Sequence, residues 1–487
     1  MPQLKTPLLA LSLSLAIAGC ATHTSALQSS AHALNLGTIN SLEFSGTGLW
    51  YQFGQAPNPS SAWPPFAVSR YTADINYLTG AERVQINRRQ VVESGRLRPD
   101  PVEQKVDQYV KGSTAWNLAR AANAPATAAP TPSAQAAAVE ERKAEILATP
   151  HGFLRAALAN NASLSANGTG TEVSFTTEGK YRYVGQLNEK GEVTRVQTWI
   201  DSPVLGDTLV QTDYSDYKDF SGVNFPGHIV RTQGGYPVLD INVSTVTANP
   251  AVNIVVPGEV ANAQTAVKVK AEKLAEGVFY LTGGTHHSVA IAQNDHVVLV
   301  EAPLNEDRSL ALIAKVHEII PNKPIKYLVN THAHFDHSGG LRTFVDAGAT
   351  IVTEQANQAY YEKIWANPHT LKPDLLAKSG KAASFATFSD KQVLSDGKRA
   401  IELYPIAGNG HNDAFALVYL PAEKILIEAD AYTPPAANTP PPSKPNPYSV
   451  NLYDNVQKLH LDVKQIAALH GPHVVGLDAL RTAIAAR

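Results

Sequence analysis

The sequence predicts an α+β protein in which a largely antiparallel β unit precedes a domain of strands alternating with helices. Three observations carry this expectation. Residues 42–246 hold short strands of alternating polarity separated by turn signals, the rhythm of an antiparallel sheet. From Val267 onward, apolar strands are interleaved with amphipathic helical stretches. The chain, at 487 residues, is also too long for one ordinary core.

At the start, Lys5 precedes an apolar run from Leu8 to Ile17 that is too short to span a bilayer as a helix. It ends at Ile17-Ala18-Gly19-Cys20, and Cys20 is the chain's only cysteine. Residues 1–20 therefore resemble the signal segment of a bacterial lipoprotein precursor, with Cys20 the first mature residue and the lipid carrier. The alternative is an ordinary signal peptide with a leftover thiol. Ala21 follows the cysteine, and by the same resemblance this favours an outer-membrane lipoprotein facing the periplasm over a secreted or soluble periplasmic protein. A single cysteine excludes an intrachain disulfide. Residues 21–36 are rich in Ser, Ala and Thr and read as a tether.

Residues 37–262 form the mainly β unit. Tyr71–Tyr77 and Arg83–Asn87 flank a Thr79-Gly80 turn, and Lys180–Leu187 and Val193–Ile200 are joined by the polar turn Asn188–Glu192. Residues 121–138, almost entirely Ala, Pro, Thr and Ser, read as an exposed loop. A helical patch follows from Val139 to Asn160 and is interrupted at Pro150. The meander as a whole resembles the half-barrel of periplasmic lipoprotein-carrier domains, a likeness of rhythm rather than of motif. The net charge is −3 with 17% charged residues, and no basic stripe marks a nucleic-acid partner.

Residues 263–487 carry the chemistry. Ile325–Asn330 is a buried strand that runs into Thr331-His332-Ala333-His334-Phe335-Asp336-His337. Four metal-competent residues in six positions, leaving a rigid strand end, suit Zn²⁺, whose N and O ligands lie at about 2.0–2.2 Å. Further along, His411 follows Gly408-Asn409-Gly410 and Asp430 ends the strand pattern Lys424–Ala429, while His470 precedes Gly471.

In this order these segments resemble the metallo-β-lactamase superfamily, whose fold is an αββα sandwich. The resemblance implies two zinc ions: His332, His334 and His411 on the first, Asp336, His337 and His470 on the second, and Asp430 touching both. His473 competes with His470, which the following glycine favours. Two zincs of this kind hold a bridging hydroxide and polarise a carbonyl or phosphoryl oxygen, with Asp336 and Asp430 as the catalytic carboxylates. The family places Asp where this chain has Glu301, which either orients a ligand from outside the first ligand shell or faces solvent. His286 and His287, after Gly283-Gly284-Thr285, line the pocket or lie on the surface. Asn409 and Tyr432 are candidates to support an oxyanion.

The implied function is hydrolysis of an ester, thioester, lactone or amide bond in a small molecule. In one β-lactamase subclass a cysteine stands at the Asp430 position and a drug-binding lysine stands three residues later. Here that later position is Thr433, which cannot make the charge-assisted contact. β-Lactam hydrolysis is the alternative activity. A non-catalytic envelope protein that binds or handles lipids or lipoproteins is the alternative of another class. The site segments lack an Arg/Lys cluster, which disfavours phosphodiesters. Seven prolines between Pro434 and Pro447, with Lys444 among them, form a stiff excursion that either walls the pocket or runs over the surface.

Overall fold

Alternation of apolar and polar side chains along Ser41–Tyr51, Pro65–Asn76 and Ala81–Gln90 gives each strand one buried face. A computed structural model describes residues 26–120, 127–264, 266–436, 439 and 444–485. Cys20 and the expected leader over residues 1–20 lie outside the described residues. In the N-terminal domain thirteen strands form one sheet, paired antiparallel throughout. A first meander runs outward from Ser41–Tyr51 to Thr131–Ala134. Helices Val139–Ala148 and Pro150–Ala159 then lead to the opposite edge, and a second meander returns until Tyr236–Ala248 pairs with Ser41–Tyr51. The helices fill one face of the sheet, where Ile146, Phe153 and Leu154 join Phe44, Ile75 and Ile241 in one core. Pro150 opens the second helix, where its missing N–H is harmless, and Thr149 caps it.

Two expectations change here. Part of the 121–138 loop is ordered: Thr131–Ala134 is an edge strand, which tolerates Pro132 because one side of an edge needs no donor. The expected tether over 21–36 is helical at residues 26–33, and Leu27, Leu34 and Leu36 are buried in the core. Those three leucines outweigh the polar composition around them, since each buried side chain is worth about 1.5–3 kcal/mol.

That docking rests partly on His151, which is fully buried with its Nε2 3.0 Å from the Leu34 carbonyl oxygen. Burial drives its pKa down to about 4, from about 6.5. The unfolded chain thus binds more protons between these values, so stability is complete above about pH 6.5 and falls as the pH drops towards 4. At about 1.36 kcal/mol per pKa unit the loss is about 3 kcal/mol. Denaturant melts of wild type and His151→Phe from pH 7 to 4 check this. The variant is expected to show a shallower acid slope, and parallel slopes would refute the assignment.

The C-terminal domain is a four-layer sandwich. Strands Lys270–Ala275, Val278–Thr282, Ser288–Ala292, Val297–Val300, Ile325–Val329, Thr350–Glu354 and Ser384–Phe388 form one sheet in chain order, parallel from Val297–Val300 onward. Strands from Gln392–Ser395 to Val475–Gly476 form a second, six-stranded sheet, also in chain order. The inner faces share a core of Val298, Val329, Leu403, Val418 and Ile427. Helices Glu306–Ile319 and Gln355–Trp365 cover the first sheet and Pro447–Lys458 and Leu477–Ile484 the second. Val204 and Leu205, a hairpin tip of the N-terminal domain, sit in the cluster under Glu306–Ile319, so the two domains share buried apolar surface. No described helix is long and apolar enough to cross a membrane.

Candidate metal centre

The ligand-type side chains all leave strand ends on one rim of the sandwich. His332, His334, Asp336 and His337 follow the buried strand Ile325–Val329; His411 follows Ala400–Pro405; Asp430 follows Ile425–Glu428; His470 follows Gln465–Ala468. They converge into two adjoining groups. His332, His334, His411 and Asp430 have ligand atoms all within 4.8 Å of one another, as do His286, Asp336, His337 and His470. Asp430 joins the groups: its Oδ2 lies 2.9 Å from His337 Nε2, 3.1 Å from His332 Nε2 and 3.2 Å from His411 Nε2, and its Oδ1 lies 2.7 Å from His470 Nε2.

The fit to metal rests on satisfaction of the ring nitrogens. His332 Nε2, His334 Nδ1 and His411 Nε2 are buried and have no hydrogen-bond partner; the approaches of His332 and His411 to Asp430 are short but off the hydrogen-bonding direction. An unmade bond of this kind costs about 1–3 kcal/mol, so three converging orphans make sense as metal ligands. The opposite nitrogens of two of these rings are engaged. His334 Nε2 donates to the Ala56 carbonyl at 2.9 Å, and His332 Nδ1 is 3.0 Å from Thr331 Oγ1. In the second group His337 Nδ1 meets Glu301 Oε2 at 2.7 Å and His286 Nδ1 meets Thr285 Oγ1 at 2.8 Å. Engaging one nitrogen orients the ring and leaves the other for a metal.

Charge follows the same plan. Burial, then the neighbouring His337, pushes His332 down to about 4; burial and the His332 and His411 rings push His334 well below its ordinary value. Burial works against ionised Asp336 and Asp430, yet His337 and further imidazoles outweigh it and hold both carboxyls below the usual range. Burial likewise opposes a charged His337, but Asp430 and Asp336 override it and raise its pKa well above the usual value. Ionised carboxylates beside neutral His332 and His334 are the state a divalent cation requires, and His337, which those carboxylates hold protonated, would give up its proton on binding one.

Glu301 is fully buried, so the solvent-facing alternative fails. Besides His337 it accepts from Thr331 N at 2.9 Å and Thr331 Oγ1 at 2.8 Å. Its φ of +74° is the left-handed region, held there by this network. His286 joins the second group, its Nε2 3.0 Å from Asp336 Oδ2. His287 does not; it is buried against Tyr280 with Nε2 on the Gly471 carbonyl. His473 is exposed and outside both groups.

Asn409 and Tyr432, the residues expected to support an oxyanion, both have structural contacts beside the site. Asn409 accepts from His411 N at 2.8 Å and donates one of its two amide N–H groups to Asn451 Oδ1 at 3.0 Å, so its amide shapes the His411 turn. Tyr432 packs into the core between the sheets. Glu428 went unsingled in the sequence: it is buried, burial pushes its carboxyl up, and Oε2 accepts from Ala431 N and Tyr432 N, tightening the turn that presents Asp430. Of the proline-rich stretch, residues 437–438 and 440–443 lie outside the described residues. Pro434 lies where a side chain on Gly471 would have to go, next to His470, and Lys444 is exposed and ion-paired with Asp100.

A four-layer sandwich with four such ligand segments on one rim defines a fold class built to hold metal between strand ends. Residues 281–435 match the family model of the metallo-beta-lactamase superfamily, whose members are generally hydrolases, typically metal-dependent. Among solved structures the chain is similar to a metallo-beta-lactamase from Pontibacter korlensis, 20% identical, covering 45% of this chain and 98% of that one at a TM-score of 0.33. It is also similar to metallo-beta-lactamase FIM-1 from Pseudomonas aeruginosa in its mono-zinc form, 17% identical over 45% and 95% of the two chains at a TM-score of 0.35. A metallo-beta-lactamase from Hirschia baltica is 18% identical over 45% and 97% at 0.34. No curated protein matches the chain by sequence.

Proposed function

We propose that the protein is a dinuclear zinc hydrolase acting on an ester, thioester, lactone or amide bond of a small molecule. The observation that carries this is the set of three buried, unpartnered nitrogens on His332, His334 and His411, joined through Asp430 to a second ligand group. Bound there, zinc would supply Lewis-acid polarisation of the scissile carbonyl and acidify the attacking water. His332, His334 and His411 would hold the first ion, and Asp336, His337 and His470 the second, with Asp430 between. His286 adds a third imidazole to the second group. Asp336, about one-third exposed and ionised, is placed to orient a nucleophile and accept its proton.

Substrate choice follows from the cations near the rim. Thr433 offers no charge, and Lys444 is spent on Asp100. Arg96 and Arg98, brought to the His411 side from the N-terminal domain, are paired with Asp413 and Glu93. None of these three cations is free to grip a β-lactam carboxylate, and such a charge-assisted bond is worth about 1.5–3 kcal/mol. The best ester, thioester or lactone is therefore expected to exceed every penicillin and carbapenem in kcat/KM by about tenfold or more. A panel run on one zinc-loaded preparation checks this, and a β-lactam as best substrate would refute it.

A further inference from the structure

Two of the ligand side chains take their outer partners from the other domain. Residues 52–64 connect strands Ser41–Tyr51 and Pro65–Asn76 of the N-terminal sheet and cross to the metal rim. Gln55 Nε2 donates to Asp336 Oδ1 at 2.7 Å, and the Ala56 carbonyl accepts from His334 Nε2 at 2.9 Å and from Asn412 Nδ2 at 3.2 Å. The Gly54 carbonyl accepts from Phe335 N at 3.1 Å, and the Pro57 carbonyl from Asp413 N at 2.8 Å. One short segment thus holds one residue from each ligand group.

The segment is itself fixed. Phe53 and Trp63 pack edge-on against Phe335, which lies between His334 and Asp336, with ring centroids 5.2 and 5.5 Å away. Gly54 lies flat on the same ring: a Cβ there would stand 2.6 Å from Phe335 Cγ, and its φ is +77°. Only glycine allows this approach.

We infer that the metal centre is a composite of both domains, with Gln55 a positioning residue for Asp336 and the Ala56 carbonyl the group that fixes the His334 ring. This rests on the zinc reading above. Asp336 carries one oxygen to His286 and the other to Gln55, so Gln55 sets the rotation of a carboxylate assigned both to a metal and to the nucleophile. His334 can present Nδ1 to the first group only while Nε2 is held by Ala56. Removing such outer partners typically lowers metal affinity 10–100-fold.

The test uses the full chain loaded with Co²⁺, titrated with a chelator while visible absorption and metal content are followed. Gln55→Met keeps length and removes the donor; it is expected to release one of the two ions at a chelator concentration at least about tenfold below wild type, the other ion unchanged. Gly54→Val displaces the segment from Phe335 and is expected to weaken both ions. Asn58→Ala removes a contact to Asp413 within the same segment, not to a ligand, and is expected to match wild type. Thermal melts identify any variant that fails to fold, in which case Gln55→Ala replaces Gln55→Met. Folded Gln55 and Gly54 variants that keep both ions at the wild-type chelator concentration would overturn the inference. Loss of metal from Asn58→Ala equal to that from Gln55→Met would overturn it too, showing a general domain contact. Wild type binding no Co²⁺ would instead bring down the zinc reading itself.

Discussion

Asp430→Ala is expected to lower kcat/KM for the best substrate by about three orders of magnitude or more, roughly 4 kcal/mol at the transition state. Its carboxylate lies within 3.2 Å of ring nitrogens from His332, His337, His411 and His470. Its removal takes from both ligand groups their one shared anion and leaves four imidazoles facing one another. Metal content should fall together with activity. Steady-state kinetics and elemental analysis on the same preparation check this, and a variant that keeps both ions and most of its activity would contradict the bridging role. The fold should survive in part, because Asp430 sits at the rim and the apolar core beneath it is untouched.

Glu301→Ala is expected to damage both stability and metal binding. The carboxylate serves His337 Nδ1, Thr331 N and Thr331 Oγ1 from a fully buried position. Stripping it leaves three buried donors unpaired, at about 1–3 kcal/mol each. Glu301→Gln keeps the shape and one acceptor, so it separates the two effects. It should stay folded while metal affinity falls about 10–100-fold, as happens when the outer partner of a ligand histidine is lost. Chelator competition with thermal melts reads both. Unchanged affinity in folded Glu301→Gln would show that the contact is only structural.

The metal segment was legible because its information is local. His332, His334, Asp336 and His337 fall within six residues, and one strand end aims all of them. Glu301 stayed ambiguous because its role depends on Val297–Val300 pairing in parallel with Ile325–Val329, which places it beside Thr331 and His337. Periodicity says that a strand is there but not which neighbour it takes. The structural part that Asn409 plays in the turn leading to His411 was not legible, because its partner Asn451 lies on a helix far along the chain.

In the N-terminal domain the hairpins were readable from turn residues and alternation. The crossing from one sheet edge to the other by residues 139–159 was not, since helices carry no sign of the edge they lead to. Gln55 and Ala56 were beyond sequence reading. Their partners Asp336 and His334 lie 281 and 278 residues away, and neither residue type marks a site. The strand before Gln55 and Ala56 ends at Tyr51, and Phe53 already turns towards Phe335. Gly54, directly after Phe53, was the one local hint of a close approach.

The most direct test of the account is the metal content of the full chain purified without chelator and measured by elemental analysis. Three converging unpartnered histidine nitrogens and a shared aspartate could hold cations, and the account predicts about two zinc ions per chain. A well-folded protein that carries no transition metal, and takes up none when zinc is supplied, would contradict it.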